Sequence, residues 1–98
     1  MIYVAETFRI RPGTIEAFVA AAYALIDSTR RESGCRLYDL HASVTDPDRL
    51  VALEQWDSRQ SFENHRKGAA AQGFMAAVAP YVLSSRIEVI DPAKVDIV

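Results

Sequence analysis

The sequence predicts an α+β domain with ferredoxin-like βαββαβ order and a four-stranded antiparallel sheet. Three observations lead there. Four short runs read as strands, the first dominated by Tyr, Val, Thr, Phe and Ile, and each is closed by turn-forming residues. The second and third runs are joined by Thr45-Asp46-Pro47-Asp48, a connection short enough to require an antiparallel hairpin. The other two connections carry apolar residues at helical spacing. With right-handed crossovers, that order places both helical segments on one face of the sheet.

The first strand is expected from Ile2 to Arg11, where Arg11-Pro12-Gly13 stops it. Thr14 is then placed to cap a helix, with Glu16 in its first turn. Ile15, Phe18, Val19, Ala22, Leu25, Ile26 and Thr29 form a single apolar stripe along it. Arg30 and Arg31 suit the negative end of the helix dipole, and Gly34 is the expected C-terminal cap. A second strand follows from Cys35 to Val44 and a third from Arg49 to Trp56. Asp57 or Ser58 caps a short helix bearing Phe62 and His65, which Gly68 breaks or bends. Helical spacing resumes from Ala69 to Ala79 and ends at Pro80. The last strand runs from Tyr81 to Ile90, closed by Asp91-Pro92. The whole is one domain over residues 1–98, with its core in 1–90 and a tail over 91–98.

Composition narrows the function classes. Half the residues are apolar and 24% are charged, as in ordinary globular chains, and the net charge is −2. No basic excess is present to neutralise phosphates, which argues against nucleic acid as a partner. The longest apolar run, Ala17 to Ile26, is too short to span a bilayer. Ile2-Tyr3-Val4 starts a strand with no basic segment ahead of it, so no signal peptide is expected. Cys35 is the only cysteine and suits a reducing, cytoplasmic setting. It reads as a small buried hydrophobe rather than a thiol nucleophile, and no Cys/His cluster has metal spacing.

The strand faces carry a second implication. Ile2, Val4, Phe8 and Ile10 lie on one side of the first strand with Glu6 among them, and Tyr3 and Ala5 lie on the other. Tyr38, Leu40, Ala42 and Val44 oppose Cys35 and Leu37 in the second; Leu50, Ala52, Glu54 and Trp56 oppose Val51 and Leu53 in the third. Two helices cover one face only, so the other is expected to pair with a second copy of the chain as a homodimer.

Several stretches together resemble a known family. Glu32-Ser33-Gly34-Cys35-Arg36-Leu37-Tyr38-Asp39-Leu40-His41 resembles the E-x-G-C-x-x-Y-x-L-H stretch of antibiotic biosynthesis monooxygenase domains. Asp46-Pro47, then Glu54-Gln55-Trp56-Asp57-Ser58, then Phe62 and His65, are similar to that family's D-P, E-x-W-x-S and F-x-x-H segments. Phe8-Arg9-Ile10-Arg11-Pro12-Gly13 is similar to its F-R-V-K-P-G opening. The resemblance implies a dimeric α+β barrel and, in some members, oxygenation of quinols or polyphenols without a cofactor. It departs from the family in two ways. A second histidine of many relatives is replaced by Ala69 or Ala70. The Asn, Trp and His of haem-degrading relatives correspond to Thr7, His65 and Met75, which counts against haem degradation.

Oxygenation of an electron-rich aromatic without metal or flavin needs a base, a dry pocket and polar groups to hold an anion. His65 is the natural base because imidazole titrates near neutrality. Trp56 is the aromatic wall and Glu54 the group to orient His65. Thr7, Arg36, Tyr38, Tyr81 and Arg86 are the groups to bind a small aromatic substrate, with dioxygen as oxidant. Each has a plainer reading beside it: His65 bonding a backbone carbonyl near Gly68, Trp56 as core, Glu54 as half of an ion pair. The alternatives to a monooxygenase are a non-catalytic module that binds an aromatic metabolite, and an isomerase or decarboxylase on the same barrel.

Overall fold

A computed structural model of the chain describes residues 1–98. Its elements are β1 (Ile2–Ile10), α1 (Ile15–Thr29), β2 (Cys35–Ala42), β3 (Arg49–Trp56), α2 (Arg59–Lys67), α3 (Ala69–Val78) and β4 (Val82–Ile90). The four strands form one antiparallel sheet in the order β2-β3-β1-β4. This is the expected βαββαβ arrangement, with the second helical segment split in two at Gly68. Gly68 holds an extended conformation there, ψ 160°. No helix is long and apolar enough to cross a membrane.

The caps differ in detail from expectation. Ser58, not Asp57, caps α2, its side chain accepting from the Ser61 N–H. The Thr14 hydroxyl makes no cap to α1 and instead donates to the Arg11 carbonyl at 2.6 Å. Helix α1 ends at Thr29, so Gly34 lies too far on to cap it. Gly34 has φ +84°, and a Cβ there would overlap the Ser61 side chain. It therefore lets the turn before β2 lie against the start of α2. Strand β2 stops at Ala42 because the Ser43 hydroxyl accepts from the N–H groups of Thr45 and Asp46, starting the turn early. Val44 is left fully exposed.

Burial alternates cleanly along β3, and along β1 except at Glu6, which is inward-facing but only half-buried. Ile2, Val4, Phe8, Ile10, Leu50, Ala52, Glu54 and Trp56 face the helices and are buried. Phe8, Phe18 and Phe74 meet edge to face, with Phe8–Phe18 centroids 5.1 Å apart and Phe18–Phe74 5.5 Å. A register shift at Arg36 changes the phase of β2: Cys35 pairs with Trp56 and packs against the core, contrary to its expected place beside Leu37 on the opposite face. The helix-free face is less uniformly apolar than expected. Ala5, Leu37, Val51 and Leu53 share it with Arg9, Asp39, Arg49, Arg86 and Glu88.

Candidate active site

Between the sheet and the helices lies a cavity of about 180 Å³. Its polar lining comes from Glu6 of β1, Tyr38 of β2, Glu54 of β3, His65 and Arg66 of α2, and Gln72 of α3. Strand alternation brings the first three together, since each points to the helix side of its strand. Apolar surface from Leu25, Phe74, Met75 and Ile87 completes the wall. Met75 and Ile87 are also exposed, so the cavity opens beside the edge strand β4.

His65 lies three residues after Phe62, on the same buried face of α2. Its Nδ1 is 3.0 Å from Oε2 of Glu32, in the turn between α1 and β2. The imidazole is 6% exposed and touches the rings of both Trp56 and Tyr38, at centroid distances of 5.0 and 5.4 Å. Its partner is thus a carboxylate 33 residues away, not a nearby backbone carbonyl and not Glu54. Glu54 is 3% exposed and accepts from the Trp56 indole at 2.9 Å through Oε1. Trp56 itself is wholly buried and contributes no surface to the cavity. It holds Glu54 by hydrogen bond and His65 by ring contact.

The electrostatics follow from enclosure. Burial pushes the carboxyl of Glu54 up to about 7, and Glu6 and Glu32 add to the shift. Burial also raises Glu6 to about 7, against the pull of Arg66. His65 moves the other way: burial lowers it, while the charge and hydrogen bond of Glu32 draw it back up. The Tyr38 phenol is held far above its usual range by burial and then by Glu54, Glu6 and Glu32, so it stays a donor. No group of three or more His, Cys, Asp or Glu side chains is placed to hold a metal ion.

Of the residues the sequence suggested, Glu54, His65 and Tyr38 line the cavity. Four others stand away from it. Thr7 is next to Glu6 and so points to the opposite face, near His41 and Arg49. Arg86 pairs with Thr7 and shares that face, 77% exposed. Arg36 sits at the register shift in β2 and binds Asp57 at 2.5 Å in solvent. Tyr81 packs against the core just before β4, its carbonyl accepting from the Arg11 N–H. Sequence reasoning missed Glu32, Glu6 and Arg66 as site groups. Glu6 had a legible sign, a carboxylate in an otherwise apolar alternation, and Glu32 opens the E-x-G-C stretch.

Residues 1–77 match the family model described as antibiotic biosynthesis monooxygenase. The chain belongs to that family. The Bacillus subtilis family relative named "Putative monooxygenase YcnE" is 30% identical over 90 residues, covering 92% of this chain and 94% of its own. The solved structure of Rv0793 from Mycobacterium tuberculosis matches with a TM-score of 0.86 at 31% identity, covering 95% of each chain. "Probable quinol monooxygenase YgiN" of Escherichia coli is 28% identical, covering 94% of this chain and 98% of its own. An antibiotic biosynthesis monooxygenase family structure from Deinococcus radiodurans has a TM-score of 0.92 at 17% identity, a likeness of fold alone.

Proposed function

We propose that this chain is a monooxygenase that oxidises a small quinol or related phenol with dioxygen, needing no cofactor, with His65 as proton acceptor. The observation that carries this reading is the His65–Glu32 pair. With Nδ1–H donated to Glu32, the imidazole is held in the tautomer whose Nε2 carries a lone pair. Nε2 has no partner in the protein, and His65 lines the cavity. The relative named as a quinol monooxygenase supports the same substrate class.

The chemistry balances without an external reductant. His65 removes a proton from the substrate hydroxyl, and the anion passes an electron to dioxygen. The radical pair joins at a ring carbon to give a hydroperoxide, and its O–O bond then breaks. One oxygen stays on the ring, the other leaves as water, and the quinol becomes a hydroxyquinone. In this reading Tyr38, which lines the cavity, steadies the substrate anion through its hydroxyl, and the apolar wall keeps water from competing. At about 180 Å³ the cavity is below the range that suits drug-sized ligands, which favours one or two fused rings over larger polycyclic phenols.

The functional unit in this reading is a homodimer joined through the helix-free face of the sheet. Strand β4 is mostly exposed along its length, as an uncovered edge of such an interface would be in one isolated copy. The test is dioxygen uptake by purified, metal-free protein with one- and two-ring quinols. Turnover is expected, and His65→Ala lowers kcat/KM by about 100- to 10,000-fold. Turnover unchanged in that variant sinks the role given to His65.

A further inference from the structure

The polar groups of the cavity are unequal in kind. Three accept hydrogen bonds: Nε2 of His65, the carboxyl of Glu6 and the second oxygen of Glu54. Glu54 spends Oε1 on the Trp56 indole, and Oε2 finds no partner in the protein although the residue is 3% exposed. The Glu6 carboxyl makes no hydrogen bond or ion pair. The Tyr38 hydroxyl, on a side chain 5% exposed, is likewise unpartnered. These groups are not sealed in the core, where the one unpartnered side-chain oxygen is Thr29 Oγ1; they line the cavity, where a ligand would meet them.

Register places the two glutamates together. Val4 pairs with Glu54 and Glu6 pairs with Ala52, so Glu6 and Glu54 are diagonal neighbours on the inner face of β1 and β3. Such neighbours stand about 7–8 Å apart along the backbone, close enough for long side chains to serve one ligand group. The nearest cation, Arg66, is already engaged by Glu63 at 3.5 Å and lies over the Phe62 ring at 5.8 Å. Arg66 also lines the cavity and draws Glu6 down, but from the helix side; the sheet side itself carries Glu6, Glu54 and the Tyr38 hydroxyl and no cation.

We propose that Glu6, with Glu54 beside it, determines specificity: the pair admits a neutral aromatic ring carrying a second hydroxyl and rejects a ring that carries a carboxylate. The inference rests on the reading of this cavity as the substrate site. The first hydroxyl meets His65 and Tyr38; the second donates to Glu6 or to the free oxygen of Glu54. A ring carboxylate would bring a further acceptor and a like charge to the same wall. This also weighs against a decarboxylase, whose substrate must carry the group the wall repels.

Anaerobic binding by calorimetry, above neutral pH, tests it with three probes on one ring system: a naphthalene diol, the matching naphthol and the matching naphthoate. The diol is expected to bind at least about tenfold tighter than the naphthol, the effect of one hydrogen bond to a charged group. The naphthoate is expected to bind more weakly than either. Glu6→Leu should erase the preference for the diol, and Glu6→Gln, which keeps the side-chain shape, should bind naphthoate at least about tenfold better than the unaltered protein. Equal affinities for the three probes, tighter binding of naphthoate or of a naphthylmethylammonium cation than of the diol, or a diol preference that survives Glu6→Leu would each overturn the proposal. Because dioxygen is absent, a lack of turnover in air would sink the oxygenase reading and leave the preference standing. Turnover with an unaltered preference in both variants would sink this inference alone.

Discussion

An enclosed carboxylate opposes folding whenever it is charged, and Glu54 and Glu6 make that cost readable. Both are raised in the folded state from an ordinary 4.5 to about 7. Between those values the folded chain binds more protons than the unfolded one, so stability falls as pH rises from about 4.5 to about 7 and levels off above. Glu54→Gln keeps an acceptor for the Trp56 indole and removes the charge. It is expected to be more stable than the unaltered protein above neutral pH, by at most about 3 kcal/mol, and to lose that advantage in acid. Chemical denaturation across the range checks it; a gap independent of pH would show that Glu54 does not carry the effect. His65 slopes the other way, since its lowered value makes the unfolded chain the better proton binder. In the proposed reaction the same lowering has a consequence for activity. With Nε2 as base, kcat/KM should rise as pH increases through a value below the usual histidine range. The groups facing His65 are Glu32, Glu54, Glu6, Tyr38 and Arg66. Glu32→Gln removes the influence that raises His65, so the acid limb of the profile should move to lower pH while kcat falls. A limb left in place would mean that Glu32 is merely structural.

The elements that hold the pair apart in sequence are brought together by one glycine. Gly34 lets the turn carrying Glu32 press on the start of α2, one helix that also carries His65. Gly34→Ala meets both the left-handed backbone and the Ser61 side chain. It should cost about 2–3 kcal/mol, lowering the melting temperature by on the order of 10–20 °C, and should reduce activity because Glu32 moves with the turn. Gly13 has a similar φ of +79° but open space around it. Gly13→Ala should therefore cost only the backbone term and leave activity alone. Thermal unfolding and kcat for the two variants decide; equal losses would show that contact with Ser61 is irrelevant. Strand and helix order was legible in the sequence because period-two and helical spacing are local. The inward set of Glu54 and Tyr38, and even the oddity of Glu6, follows from the same alternation. What was not legible arises from contacts between distant segments. The choice of Glu32 over Glu54 as partner of His65 depends on the turn packing at Gly34. The phase of β2 depends on the register shift at Arg36. Thr7 and Arg86 illustrate how unforgiving the strand period is: each lies one position from an inward residue, Glu6 and Ile87, and therefore on the other face.

At the scale of the molecule, the question is what meets the helix-free face. Four strands of eight or nine residues present a footprint on the order of 500 Å² before side-chain relief is counted. That is comparable to the roughly 800 Å² per partner of a standard stable interface. Its central strands are apolar at Ala5 and at Leu53, 41% exposed; Leu37 on the edge strand β2 adds to them, and charges of both signs, from Arg49 and Arg86 to Asp39 and Glu88, surround that patch. A two-fold partner could satisfy such a surface, since opposite charges at its margins can meet across the axis. The cavity mouth lies on the helix side beside β4, the edge strand with least cover, so a partner chain reaching past that edge would limit solvent access to it. Light scattering is expected to give twice the chain mass of 10.9 kDa over a wide dilution range. Leu53→Arg, placing a charge at the centre of the face, should yield monomers that keep their helical content but lose oxygen uptake. A monomeric unaltered protein at every concentration would remove the dimer. A Leu53→Arg monomer with full activity would show instead that each chain closes its own cavity, and that the apolar face serves stability rather than catalysis.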